Sequence, residues 1–77
     1  MTQSIKRKGD DVMLMINGQE NNAYIGKSVA QFLGNNGYKK TFVAVECNGD
    51  IVPKIEYETR ILGDEDTVEV VSFVGGG

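Results

Sequence analysis

Two groups of residues in this 77-residue chain could do chemistry, and each implies a different kind. The first is Gly75-Gly76-Gly77, which ends the sequence directly after Phe73 and Val74. Residues without side chains add nothing to a core and lose the most freedom on ordering, so by themselves they read as a frayed end. After a buried strand they gain a use: they can extend into a channel where any Cβ would clash, and they carry the Gly77 carboxylate far from the globular body. Transfer of AMP from ATP would give that carboxylate a leaving group. Sulfur could then displace AMP and leave a terminal thiocarboxylate, ionised at neutral pH and nucleophilic through a polarisable sulfur. In such chemistry the chain is the carrier and its partners supply catalysis. The second group is Asp64, Glu65, Asp66 and Glu69, which could serve as general acid and base. A run of acids in a turn is ordinarily a solvated surface, and nothing in the sequence implies the burial that would raise one of their pKa values.

The remaining inventory closes most other routes. Cys47 is the only cysteine and there is no histidine. An internal disulfide is therefore impossible, a metal has almost no ligands to draw on, and neither a serine nor the cysteine has an imidazole to take its proton. No bound metal or cofactor is expected. Lys and Arg number 8 against 11 Asp and Glu, and the net charge of −3 argues against nucleic acid, which needs a basic face. No stretch approaches the roughly 20 apolar residues that span a bilayer, and the opening residues lack the apolar region of a secretion signal, so the expectation is no membrane association and a cytoplasmic location.

At this length one domain with one modest core is the limit. Residues 1–10 are polar and aperiodic and read as a disordered leader, residues 11–74 as the folded domain, and residues 75–77 as a flexible glycine tail. Val12 to Ile16 is apolar enough for a buried strand, and Asn17-Gly18 supplies a tight turn into a second strand over Gln19 to Ile25. Ser28 and Gln31 have capping-box spacing and open a helix whose Val29, Phe32 and Leu33 share one face. Gly34 to Gly37 end it after about two turns. Thr41 to Cys47 is a strand with Val43, Val45 and Cys47 on one side and Phe42, Ala44 and Glu46 on the other. Asn48-Gly49 turns into a short strand at Ile51 and Val52, Lys54 to Arg60 forms a loop or one helical turn, and Thr67 to Val74 is the last strand, with Val68 and Val70 opposite Val71 and Phe73. The order β, β, α, β, β, β predicts an α+β fold, a β-grasp (ubiquitin-like) mixed sheet packed on one main helix, with the apolar first and last strands parallel at its centre. Val71, Phe73 and Phe42 then fall on the face away from the helix, an exposed patch suited to a partner.

The segments Val43 to Pro53 and Asp66 to Val71, followed by Phe73-Val74-Gly75-Gly76-Gly77, resemble the ThiS family, the sulfur carriers of thiazole (thiamine) biosynthesis. Met15-Ile16-Asn17-Gly18 resembles the family's opening strand and turn. The resemblance implies adenylation of Gly77 by a ThiF-like E1 adenylyltransferase that uses ATP, sulfur delivery from a cysteine persulfide, and donation to a ThiG-like thiazole synthase. Gly77 inherits the reactive role, Gly76 and Gly75 the approach, and Val74 and Phe73 the apolar residues a partner grips. The chain is then a carrier and not an enzyme. Cys47 stands where the family commonly has an aliphatic residue and reads as a small core hydrophobe. Other readings are a MoaD-like carrier for molybdopterin, a carrier in cysteine biosynthesis, and a ubiquitin-like interaction module whose glycines do nothing.

Overall fold

The structure is a computed structural model that describes residues 13–73. The leader at 1–10 and the tail residues Val74, Gly75, Gly76 and Gly77 lie outside the described residues. Two tight turns set the frame. Asn17 and Gly18 adopt φ of 53° and 82°, and Asn48 and Gly49 adopt 55° and 87°, the left-handed pair that matches the twist of a two-residue hairpin. The first joins β1 (Met15–Ile16) to β2 (Gln19–Glu20), and the second joins β3 (Val43–Cys47) to β4 (Asp50–Ile51). With β5 (Thr67–Ser72) they make one sheet in the order β2-β1-β5-β3-β4. β1 and β5 are parallel and every other pair is antiparallel. This is the expected β-grasp topology, with the last strand in the middle.

The helix α1 (Val29–Asn35) begins as its sequence dictates. Ser28 Oγ accepts from Gln31 N–H at 3.0 Å, and Gln31 Oε1 accepts from Ser28 N–H at 2.9 Å. At the other end Gly37 N–H bonds Gly34 C=O and Tyr38 N–H bonds Leu33 C=O, with Gly37 at φ 79°, a Schellman closure. The remaining free N–H groups of the first turn are taken by the neighbouring segment: Val29 N–H donates to Arg60 C=O and Ala30 N–H to Tyr57 C=O. Val29, Phe32 and Leu33 are buried in one cluster with Ile16, Val43, Val45, Val68 and Val70. Cys47 belongs to the same core.

The strands are shorter than the residue pattern implies. The second strand stops at Glu20 because the Asn22 side chain replaces the ladder, its Oδ1 accepting from Leu14 N–H, and Asn22–Tyr24 winds into a 3₁₀ turn. Thr41 and Phe42 belong to another 3₁₀ turn, Lys40–Phe42, so β3 starts at Val43. β4 is Asp50–Ile51, and Val52 follows it as a buried residue whose N–H still bonds Val45 C=O. Lys54 to Arg60, expected as a loop or one helical turn, and the two residues that follow supply two of the most buried side chains, Tyr57 and Leu62, each 1 % exposed. Tyr57 is isolated among charged residues in sequence and reaches the core only because the 3₁₀ turn Lys54–Glu56 swings it under the sheet.

Leu33→Ala removes a fully buried side chain from beneath the sheet, and denaturant unfolding should show a loss of about 2–5 kcal/mol; an unchanged midpoint would mean that this face of α1 carries no packing.

Candidate functional site

β5 runs straight toward the glycine tail, and its alternation decides what surrounds the tail's base. Val68 and Val70 are buried in the core with α1, while Val71 and Phe73 are 54 % and 51 % exposed on the opposite face. Val71 lies across from Ala44 in the β3–β5 ladder. Phe73 N–H donates to Phe42 C=O at 2.7 Å, and Phe42 is 48 % exposed. Phe42, Ala44, Val71 and Phe73 therefore form one contiguous apolar surface beside the last described residue. Direct cross-strand neighbours have Cβ atoms about 4.5–5.5 Å apart, so Ala44 and Val71 join the patch across the two strands. A groove of about 280 Å³ lined by Gly37, Tyr38, Lys39, Phe42 and Ser72 flanks the same end of β5. Of the residues expected at the site, Phe73, Val71 and Phe42 are thus brought together, and Val74 to Gly77 lie outside the described residues.

Next along the same face Glu46 and Glu69 are directly opposite in the ladder. Two like charges in that relation destabilise a sheet, so the apolar patch is bordered by a negative strip that favours a basic partner. The alternation of Ala44 with Glu46 and of Val71 with Glu69 contains this signal, but the register that sets the two acids side by side does not exist until the strands are paired.

The acidic turn has a different role from the one its composition suggests. Asp66 accepts hydrogen bonds from Asn48 Nδ2 at 2.8 Å and from Gly63 N–H at 2.8 Å, and it pairs with Arg60 Nη1 at 3.2 Å. Burial pushes its carboxyl up, but the bonds from Asn48, Gly63 and Arg60, with the Arg60 charge, outweigh burial and hold it below the ordinary carboxylate range. A carboxylate so held cannot take up and release protons near neutrality. It ties the β3–β4 turn to the start of β5, a task completed by Asn48 Oδ1 accepting from Thr67 N–H. Burial raises the Cys47 thiol above its usual range, with Arg60 partly opposing, which leaves it protonated in the core. Among the described residues no group of three His, Cys, Asp or Glu side chains could hold a metal, and no helix is long and apolar enough to cross a membrane.

Comparison with known proteins follows the same residues. The ThiS family profile matches residues 14–77, most of the chain and all three glycines. The chain belongs to the ThiS family. A solved ThiS thiamine biosynthesis protein from Geobacter metallireducens superposes with a TM-score of 0.67 at 26 % identity, covering 84 % of this chain and 99 % of that one. Thiazole synthases of Paramagnetospirillum magneticum and Magnetococcus marinus are 44 % identical over 64 residues and 37 % identical over 62. Those matches take in 83 % and 80 % of this ThiS-family chain but only 20 % and 19 % of the relatives, so the chain spans about one fifth of their length.

Because the carboxyl of Asp66 is depressed in the folded state, its contribution to stability is complete above the unfolded value of about 3.9 and is lost as pH falls through the lower folded value. Asp66→Ala should cost about 1–3 kcal/mol at pH 7 and flatten the loss of stability below about pH 4. Urea midpoints across that range check this, and parallel pH profiles for the two proteins would contradict it.

Proposed function

We propose that this ThiS-family sulfur carrier works through the carboxylate of Gly77. The reading is carried by the family match across residues 14–77, which takes in Gly75, Gly76 and Gly77 together with the strand that leads to them. A ThiF-like E1 adenylyltransferase binds the carrier and ATP; a Gly77 carboxylate oxygen attacks the α-phosphorus and pyrophosphate leaves. The outer sulfur of a cysteine persulfide then attacks the acyl carbon and AMP leaves. A second thiol takes the donor cysteine as a disulfide and frees the thiocarboxylate. The carrier binds no cofactor in this scheme, since ATP belongs to the activating partner, and the reaction belongs in the cytoplasm.

The acceptor we propose is a ThiG-like thiazole synthase. Two thiazole synthases contain, within one polypeptide, a segment similar to most of this chain, and such linkage is favoured where a carrier must repeatedly meet one acceptor. The exposed surface of Phe42, Ala44, Val71 and Phe73 suits both encounters, because it lies beside the base of the tail and a partner seated there has the tail at hand. Its negative border at Glu46 and Glu69 affects the rate of encounter more than final affinity.

ATP–pyrophosphate exchange with the cognate adenylyltransferase tests the scheme. Removing Gly77 withdraws the terminal carboxylate by about 3.3–3.6 Å and should abolish exchange. Phe73→Ala, with an unchanged thermal unfolding curve, should lower kcat/KM roughly tenfold by deleting an aromatic anchor. Exchange at the full rate without Gly77 would leave the glycines without a role.

A further inference from the structure

Asn17 meets two demands that no neighbouring residue shares. Along the parallel pair of β1 and β5, Met13, Met15 and Asn17 donate in turn to the carbonyls of Asp64, Asp66 and Val68. Bonds in a parallel pair are evenly spaced, so the next step of this ladder is Val70 N–H donating to the carbonyl of Asn17. Asn17 also opens the turn into β2, and its φ of 53° takes the chain out of the line of the strand. The side chain makes the missing step: Asn17 Oδ1 accepts from Val70 N–H at 2.7 Å, and its Nδ2 donates to Val70 C=O at 3.3 Å. Glycine, asparagine and aspartate tolerate the left-handed φ. Glycine has no amide to offer, and aspartate would set its second oxygen against Val70 C=O. Only asparagine adds a donor beside its acceptor.

The other hairpin asparagine does the matching task at the opposite end of the same strand. Asn48, at φ 55°, accepts from Thr67 N–H at 2.9 Å and donates to Asp66 Oδ1 at 2.8 Å. The two turns thus hold β5 at its start and at Val70, the residue before the exposed Val71 and Phe73. On the β3 side the end of β5 is held by the pairing of Val43 with Ser72 and by Phe73 N–H to Phe42 C=O. On the β1 side the last bond that the described residues make to it is the Asn17 amide. Two-stranded ribbons twist more than strands flanked on both sides. Without Asn17, β3 and the end of β5 become such a ribbon, and the face of Phe42, Ala44, Val71 and Phe73 turns relative to the core.

We propose that Asn17 is a positioning residue for adenylation of the carrier: by holding both backbone groups of Val70, its amide fixes the apolar face of Phe42, Ala44, Val71 and Phe73 in the shape that the adenylyltransferase meets. This role rests on the carrier reading above and adds to it a residue that acts through Val70. Since Asn17 shapes a docking face and takes no part in the bonds made and broken, its loss belongs in KM and not in kcat.

Asn17→Gly keeps the left-handed turn and deletes the amide. Two measurements on the full chain test the role: residue-resolved amide hydrogen exchange, and ATP–pyrophosphate exchange with the cognate adenylyltransferase. In the variant the Val70 amide should exchange roughly tenfold or more faster relative to the Phe32 amide, which is bonded to Ser28 C=O in α1. KM for the carrier should rise about three- to tenfold with kcat unchanged. A loss of stability alone would speed both amides together and leave KM of the folded protein where it was. Asn17→Asp keeps the turn and the acceptor but opposes an oxygen to Val70 C=O, and it should raise KM roughly two- to threefold; it decides the matter if Asn17→Gly does not fold. If the wild-type chain is adenylated and KM is unchanged in the folded variants, the positioning role is wrong and the carrier reading stands. A Val70 amide as protected in Asn17→Gly as in the wild type overturns the role as well. If the wild-type chain is not adenylated, both fall.

Discussion

The central position of β5 is the constraint on which the rest of the structure depends. It is the last strand in sequence, yet it is bonded to β1 on one side and β3 on the other. A strand flanked on both sides cannot shift register without turning its buried residues outward. Val68 and Val70 pin that register against the helix, and Asp66 pins its start through Asn48, Gly63 and Arg60. The segment that follows leaves from the best-anchored element of the molecule. A strand bonded on both sides holds its last described residues more firmly than an edge strand would.

The rest of the chain serves this arrangement. A helix of seven residues is too short to hold itself together in water, so α1 depends on its capping box, its Schellman closure and the carbonyls of Tyr57 and Arg60. In return it buries one face of the sheet and leaves the other for contact. The apolar residues on that free face gather at the tail end of β3 and β5, and the paired acids Glu46 and Glu69 mark its limit. The described residues thus divide into a packed face that makes the fold and an open face whose apolar residues are free for contact.

Much of this was legible in the residues. Asn-Gly pairs at 17–18 and 48–49 specify their turns by the backbone angles they tolerate, Ser28 and Gln31 specify the helix start, and the alternation from Val68 to Phe73 separates buried from open face. The helix stripe of Val29, Phe32 and Leu33 falls in the core as its period requires. What was not legible depends on contacts distant in sequence. Tyr57 and Leu62 have no periodic neighbours, so nothing local marks them as core. Asn22 looks like an ordinary strand residue until its side chain is seen to take the Leu14 N–H and end the ladder. Asp66 sits in an acidic run like a solvated turn, and its structural role appears only once Arg60 and Asn48 close around it.

The central claim is that the reactive group is the Gly77 carboxylate. The most direct measurement is tandem mass spectrometry of the carrier after incubation with its adenylyltransferase, ATP and a persulfide donor. The account predicts one sulfur in place of one oxygen, confined to the fragment that ends in Gly77, and dependent on ATP. Sulfur found instead on Cys47, or a carrier mass unchanged while the complete system is active, would contradict it.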